Sequence, residues 1–325
     1  MRTLLHHRDL PDLSIKKEFN ASGTALSENI SYINHAFIRG SYREISFDGI
    51  HIGYGDLQLG QPALISFEAE AESVELHFAL QGNSTASIKG ESEDISFESY
   101  HHNIMYANRM KGHFLWDKGN IQIFEINFLP SFFKKYLPDD STLFERFRAM
   151  MDKGNMQLML PQHFMITSEM HHTIREILSC KRTGIYKKMF LEARTIELLL
   201  LQLEQINTPD DQISLSKSDC EKMYAIRDFI EQHIAETHSL IDLAHRFGTN
   251  EYALKKGFKE VFNTTVFNYW SSLKMQNAKK LILEESLHIN EIAMTVGYKN
   301  PRHFSTAFKK HFGQTPTEFK YRVKG

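Results

Sequence analysis

The stretch that decides the fold is "GYKNPRHFSTAFKKHFGQTP", residues 297–316. Phe304, Phe308 and Phe312 recur every four positions, the spacing of one helix face. Arg302, Ser305, Thr306 and Lys309 fall on the other side. Gly297 closes the element before it, because glycine just past a helix takes the left-handed cap. Asn300 is a favoured N-cap, and Pro301 sits at the first helical position, where its missing N–H is not needed.

The same plan occurs once more upstream. "SLIDLAHRFGTNEYALKKGFKEVFN" begins at Ser239 and "HINEIAMTVGYKNPRHFSTAFKKHFG" at His288. Each has a short apolar helix ending at glycine (Gly248, Gly297), then Asn250 or Asn300, then a helix with apolar residues four apart. Leu254, Phe258 and Phe262 match Phe304, Phe308 and Phe312 as core stripes. Helix, tight turn, helix is the helix-turn-helix plan. A predicted helix from about Thr265 to Glu285 joins the two units. A connector of that kind can set two units on one side of a duplex, about 34 Å or one turn of DNA apart. Helix-turn-helix units also serve as protein-interaction modules, which is the competing reading of the pair.

Together "LIDLAHRFG", "LKKGFKEVF", "YWSSLKMQNAKKLI", "INEIAMTVGY" and "HFSTAFKKHFGQTPTEFK" resemble the DNA-binding domain of the AraC/XylS family of bacterial transcription regulators, over roughly the last third of the chain. The resemblance implies a double helix-turn-helix module that reads successive major-groove segments of promoter DNA. Its groove-facing positions correspond to Tyr252, Lys255 and Lys256 in the first unit, and to Pro301, Arg302, Ser305 and Thr306 in the second. Lys256 and Thr306 stand where the family commonly has arginine. Lysine can donate to guanine but lacks the rigid fork, and threonine reads by short hydrogen bonds or by methyl contact with thymine. Lys259, Lys309 and Lys310 suit phosphates, as do the helix N-termini at Asn250 and Asn300. The alternative for each lysine is a solvated surface residue.

Charge agrees in sign. From Cys220 to Gly325 there are 16 basic and 11 acidic residues, a net charge of +5, while the whole chain carries −2. A basic third on an acidic body suggests an anionic partner. The 325 residues favour two domains. The composition, 42% hydrophobic and 24% charged, is that of a soluble globular protein. Only Cys180 and Cys220 are present, so no disulfide framework is implied. With no secretory h-region and no apolar run long enough to span a bilayer, the expected place is the cytoplasm, with no membrane partner.

Before about residue 128 the pattern is β. Ile45 and Phe47 alternate with polar neighbours, as do Ile50, Ile52 and Tyr54, and Val74, Leu76, Phe78 and Leu80; Ile121, Ile123 and Ile126 roughly follow. "GIHIGYG", 49–55, reads as a bulge or hairpin. Helical periodicity takes over after Pro130, in "SFFKKYL", "TLFERFRAMM", 166–179 and 185–206. The last is so apolar that it either packs within its domain or meets a second copy of itself.

The expected fold class is therefore α+β in two domains: an N-terminal β-barrel or cupin-like domain with following helices, and a C-terminal all-α, homeodomain-like double helix-turn-helix domain. The boundaries are 1–206 for the first domain, 207–219 ("NTPDDQISLSKSD") for a linker and 220–325 for the second. The resemblance implies that the first domain binds an effector or dimerises. "VELHFALQGNS" with "GHFLWDKGNIQIFEINFLPSFFKKYL" is loosely similar to AraC-family regulators of iron-siderophore uptake, which ranks an iron–siderophore among candidate effectors. Phe67, Phe78, Tyr106 and Trp116 either line a pocket for a small apolar ligand or fill the core.

Catalysis finds little support. No P-loop, dinucleotide turn or nucleophile elbow is present. His51, His77, His101, His102 and His113 lack the His-x-His spacing of a metal site, so neither cofactor nor metal is expected. The function expected is a sequence-specific DNA-binding transcription regulator, not an enzyme, acting as a homodimer, with RNA polymerase a further candidate partner. The alternatives are a cupin-like metal-dependent enzyme with a helical appendage, and an effector-free dimeric regulator.

Overall fold

The computed structural model describes residues 2–7, 10–18, 25–69, 72–91, 93–109, 111–137, 142–153, 156–207, 215–236, 238–262, 264–284 and 287–324. The chain divides into two compact units, Met1–Asp211 and Gln212–Gly325. The predicted linker falls mainly on 208–214, outside the described residues.

The first unit begins with twelve strands: β1 Arg2–His7, β2 Leu10–Glu18, β3 Ser27–His35, β4 Ile38–Phe47, β5 Ile50–Leu59, β6 Ala63–Ala69, β7 Ser73–Gln81, β8 Ser84–Ile88, β9 Ile95–Phe97, β10 His101–Ala107, β11 Lys111–Trp116 and β12 Gly119–Phe128. Helices α1 Pro130–Lys134 and α2 Thr142–Lys153 follow, then the short strands β13 Gln157–Leu158 and β14 Phe164–Met165, then α3 Ser168–Leu178 and α4 Gly184–Asn207. The strands form two antiparallel sheets, ordered β2-β1-β6-β11-β8-β9 and β13-β10-β7-β12-β5-β4-β3, with β14 also on β10. Both sheets are open along the described strands, so the β-rich domain expected is present but no closed barrel forms. "GIHIGYG" begins at the second residue of the tight β4–β5 turn and continues as β5: Asp48 and Gly49 both have positive φ, 42° and 79°, which matches the twist of a two-residue hairpin.

The larger sheet is covered on both faces, and period-2 alternation separates them. Val74, Leu76, Phe78 and Leu80 of β7, with Phe124, Ile126 and Phe128 of β12, pack against Phe133, Phe147, Ile174, Leu191, Leu198 and other residues of the helices. The residues between them face the smaller sheet, where Leu57, Ala79, Met105 and Ile121 meet Ile65, Phe67, Ile88 and Trp116. Pairing of β12 with β7 shifts between Gln122 and Ile123, a local irregularity in that ladder. Helix α4 buries Leu191, Leu198, Leu199 and Ile206, while Ile185, Tyr186, Met189 and Leu200 stay exposed.

The second unit is helical: α5 Lys217–Gln232, α6 Leu240–Arg246, α7 Glu251–Phe262, α8 Val266–Glu284, α9 Ile289–Thr295, α10 Pro301–Phe312 and α11 Pro316–Lys324. Helix α5 thus starts three residues ahead of the predicted domain start. Phe304 and Phe308 are fully buried among Met275, Ile282, Ile292, Val296 and Phe319, and Phe312 is half-buried. Leu254, Phe258 and Phe262 are buried likewise in the first helix-turn-helix. No described helix is long and apolar enough to cross a membrane.

Candidate nucleic-acid interface and an internal cavity

The two helix-turn-helix units repeat their turns bond for bond. After α6, Gly248 takes φ 63°, its N–H meets His245 O at 3.2 Å and the Thr249 N–H meets Ala244 O at 2.9 Å. After α9, Gly297 takes φ 81°, its N–H meets Met294 O at 2.9 Å and the Tyr298 N–H meets Ala293 O at 2.8 Å. Both use the left-handed glycine cap that closes a helix on its last free carbonyls. The starts agree too. Asn250 Oδ1 accepts from the Ala253 N–H at 2.9 Å, and Asn300 Oδ1 from the Arg302 N–H at 2.9 Å. A Ser239–Asp242 capping box opens α6, and the Glu291 carboxylate accepts from the His288 N–H at 2.6 Å at α9.

The turn of the second unit abuts the segment between α5 and α6. A Cβ on Gly297 would stand 2.2 Å from Ala235 O, whereas one on Gly248 would meet nothing within 4 Å. Helix α8 adds to the joint. Trp270 Nε1 donates to Ile234 O at 3.0 Å, and Lys274 Nζ lies 5.3 Å from the Trp270 ring and 5.6 Å from the Tyr298 ring.

The sequence-predicted contact residues gather on the outward faces of α7 and α10. Tyr252, Lys255, Lys256 and Lys259 are exposed, Tyr252 to 77%. Lys255 is held at 2.5 Å by Glu251 one turn back, a surface pair that a phosphate could displace at little cost. Lys256 and Arg302 have no ion-pair partner among the described residues. Lys309 and Lys310 are exposed, and Pro301 and Ser305 are partly covered. Both hydroxyls on α10 are already in use as donors: Ser305 Oγ to Pro301 O at 2.9 Å and Thr306 Oγ1 to Arg302 O at 3.0 Å. In this rotamer Thr306 presents its methyl group and oxygen lone pairs, so methyl contact or acceptance is its available chemistry.

The first unit holds a cavity of about 100 Å³ between its sheets. Of the four aromatic residues considered for a pocket, Phe67 and Trp116 line it, while Phe78 and Tyr106 lie in the helix-side core. Phe97, Phe114, Met105 and Ile121 are among the other apolar residues of the wall. Sequence reasoning missed its polar members: Ser73, Glu75 and His77 on β7, and Glu125 and Asn127 on β12. Their signal was present, as polar residues at alternate positions inside otherwise apolar strands. Tyr42 donates to Glu125 Oε1 at 2.7 Å. Burial, reinforced by the Glu125 charge, holds the Tyr42 hydroxyl well above its ordinary pKa, so it stays protonated.

The remaining histidines have local duties. His102 is fully buried between Gln202 and Gln205 of α4, each 2.8 Å from a ring nitrogen. His101 Nδ1 lies 3.0 Å from Ser99 O, His51 is buried beside Glu44, and His113 is exposed. No cluster of three or more His, Cys, Asp or Glu suited to a metal occurs among the described residues. Both cysteines are buried and free.

Comparison with known proteins follows the same division. The "Regulatory protein PchR N-terminal domain" matches residues 39–217, more than half the chain, and "Helix-turn-helix domain" matches residues 243–322. The chain belongs to the AraC/XylS family. Within that family, PchR of Pseudomonas aeruginosa is 30% identical over 117 residues, 35% of this chain and 40% of PchR. The bifunctional transcriptional activator/DNA repair enzyme AdaA of Bacillus subtilis is 31% identical over 106 residues, 33% of this chain and 50% of AdaA. The chain thus spans half or less of the length of these two relatives. A structure of ToxT from Vibrio cholerae covers 93% of this chain and 100% of its own at 14% identity, with a TM-score of 0.33, a likeness too slight to inform the fold.

Proposed function

We propose that the protein is a sequence-specific, DNA-binding transcription regulator whose N-terminal unit senses a small molecule. The observation that carries this is the paired turn: α6–α7 and α9–α10 are joined by turns with the same hydrogen bonds, α7 and α10 both start at an asparagine N-cap, and each has a polar face turned to solvent. DNA as the partner implies a cytoplasmic protein acting on promoters, with RNA polymerase within reach. The exposed Ile185, Met189 and Leu200 on α4, opposite its buried face, support a homodimer through that helix. The inter-sheet cavity favours a sensor over an effector-free dimer, since buried polar atoms without partners are costly in a domain that only dimerises. An iron–siderophore chelate is larger than the cavity, so a smaller effector fits this reading better.

Footprinting on DNA flanking the gene tests the proposal. Binding should be sequence-dependent, and log affinity should fall with log salt at about −0.9 per phosphate neutralised. Absence of a salt-sensitive, sequence-dependent complex sinks the reading. Lys256→Ala should weaken operator binding by about 1 kcal/mol and relax preference at one base pair. Competition between operator variants reads both effects, and unchanged affinity and selectivity would remove Lys256 from the interface.

A further inference from the structure

Four residues that line the cavity between the sheets each have a buried polar side-chain atom with no hydrogen-bond partner among the described residues: Ser73 Oγ, His77 Nε2, Trp116 Nε1 and Asn127 Oδ1. These residues are 1%, 6%, 8% and 3% exposed, and all four line the cavity. One orphan in a folded protein can be tolerated, but each costs free energy unless something satisfies it. Four around one space form a lining that an occupant with matching polar groups would satisfy.

The chemistry of the occupant follows from what each atom can offer. His77 Nδ1 lies 2.8 Å from Glu75 Oε1, and a carboxylate oxygen accepts, so Nδ1 carries the hydrogen. In the neutral form of the ring, Nε2 is then an acceptor. Asn127 Oδ1 is an acceptor, Trp116 Nε1–H a donor, and the Ser73 hydroxyl either. Two carboxylates, Glu75 and Glu125, line the same space, and among the described residues no lysine or arginine does. The wall between them is apolar and aromatic. A negatively charged ligand would therefore be buried beside two carboxylates without a compensating cation, an unfavourable arrangement at low dielectric. The volume, about 100 Å³, holds more than one water and is of the order that takes a single ring.

We propose that this cavity binds a compact, single-ring ligand that is neutral or cationic and bears hydrogen-bond donors, the class of phenols and arylmethyl amines, and that it excludes carboxylates of the same shape. This rests on reading the N-terminal unit as a sensor. Acceptors at His77, Asn127 and the two glutamates take the ligand's donors, while Trp116 donates to its oxygen where there is one.

The test uses the full chain with phenol, benzylamine and benzoate as probes. The chain has two tryptophans, so indole N–H NMR resolves Trp116 once Trp270→Phe assigns the pair. Phenol and benzylamine should shift the Trp116 indole resonance saturably, leave that of Trp270 in place and raise the melting temperature. Benzoate should bind at least about tenfold more weakly. Glu125→Gln keeps an acceptor for Tyr42 and removes one charge, so it should narrow the gap between benzylamine and benzoate. Benzoate binding as tightly as benzylamine overturns the proposal. So does indifference to all three probes while other compounds of a metabolite panel shift Trp116; in both cases the sensor reading survives. If no compound of the panel perturbs Trp116, the sensor reading falls together with the proposal.

Discussion

Gly297→Ala destabilises the helix-turn-helix unit by about 3 kcal/mol, while Gly248→Ala, at the matching turn, costs about 1 kcal/mol. Both glycines have left-handed φ, 81° and 63°, and alanine pays that conformational penalty at either site. Only at 297 does the new methyl also meet backbone, 2.2 Å from Ala235 O. Backbone cannot swing aside as a flexible side chain can, so the turn or the segment after α5 has to shift. That segment also receives the Trp270 indole at Ile234 O, and a shift there loosens α8 as well. The difference of about 2 kcal/mol corresponds to roughly 10 °C in melting temperature for a unit of this size. Trp116 and Trp270 lie one in each unit, so fluorine NMR of fluorotryptophan-labelled protein follows the two transitions separately. Equal losses for the two variants would mean the Gly297–Ala235 approach does not constrain the pair.

His102 alone takes about 3 kcal/mol from the N-terminal unit as pH falls from 6.5 to 4, and His163, whose pKa burial likewise lowers to about 4, adds to the loss in the same window. Burial, opposed by a bond to Gln205, lowers the His102 pKa from 6.5 to about 4. The geometry explains why a second proton is unwelcome. Nε2–H donates to Gln205 Oε1 at 2.8 Å, and Nδ1 accepts from Gln202 Nε2 at 2.8 Å. Gln205 Nε2 in turn donates to Met165 O at 3.2 Å, which fixes its amide. Protonating Nδ1 would set two donors face to face. Above pH 6.5 both folded and unfolded chains hold a neutral ring, and this site contributes its full stability. Through the window the unfolded state binds the proton and the folded state refuses it, so stability drops as pH falls and the loss is complete below about 4. Denaturant titrations between about pH 7 and 5 should show a slope in the wild type that His102→Gln reduces, the remainder belonging to His163. An unchanged slope would assign the acid sensitivity to other groups.

The two units were unequally legible. In the C-terminal unit the local signals all agree: glycine after α6 and α9, asparagine two or three residues later, proline at 301 and apolar residues four apart. What stayed hidden was the joint, because no pattern says that Gly297 abuts Ala235 some sixty residues earlier. In the N-terminal unit the strands were visible from alternation, but which face was which was not. Alternation separates inside from outside only when one face is wet, and here "VELHFALQ" separates two different interiors. That is why Phe78 and Tyr106 could not be told from Phe67 and Trp116 before the sheets were placed. A search for aromatic lining also drew the eye from Ser73, His77 and Asn127, whose polarity is the unusual feature in such strands. Thr306 was recognised as a departure from the family residue, but its hydroxyl's bond to Arg302 O, which limits what it offers a groove, needs the helix built.

The two-sided sheet also bears on how the proposed sensor would change its preferences. Along β12, Ile121, Ile123, Glu125 and Asn127 meet the cavity, while Phe124, Ile126 and Phe128 support the helices behind. β7 divides in the same way, with Ser73, Glu75 and His77 on one side and Val74, Leu76 and Phe78 on the other. Odd-numbered positions are thus free to drift toward a new chemical taste while even-numbered ones keep the scaffold intact. One strand carries two independently editable texts, and a lineage can rewrite the first without smudging the second.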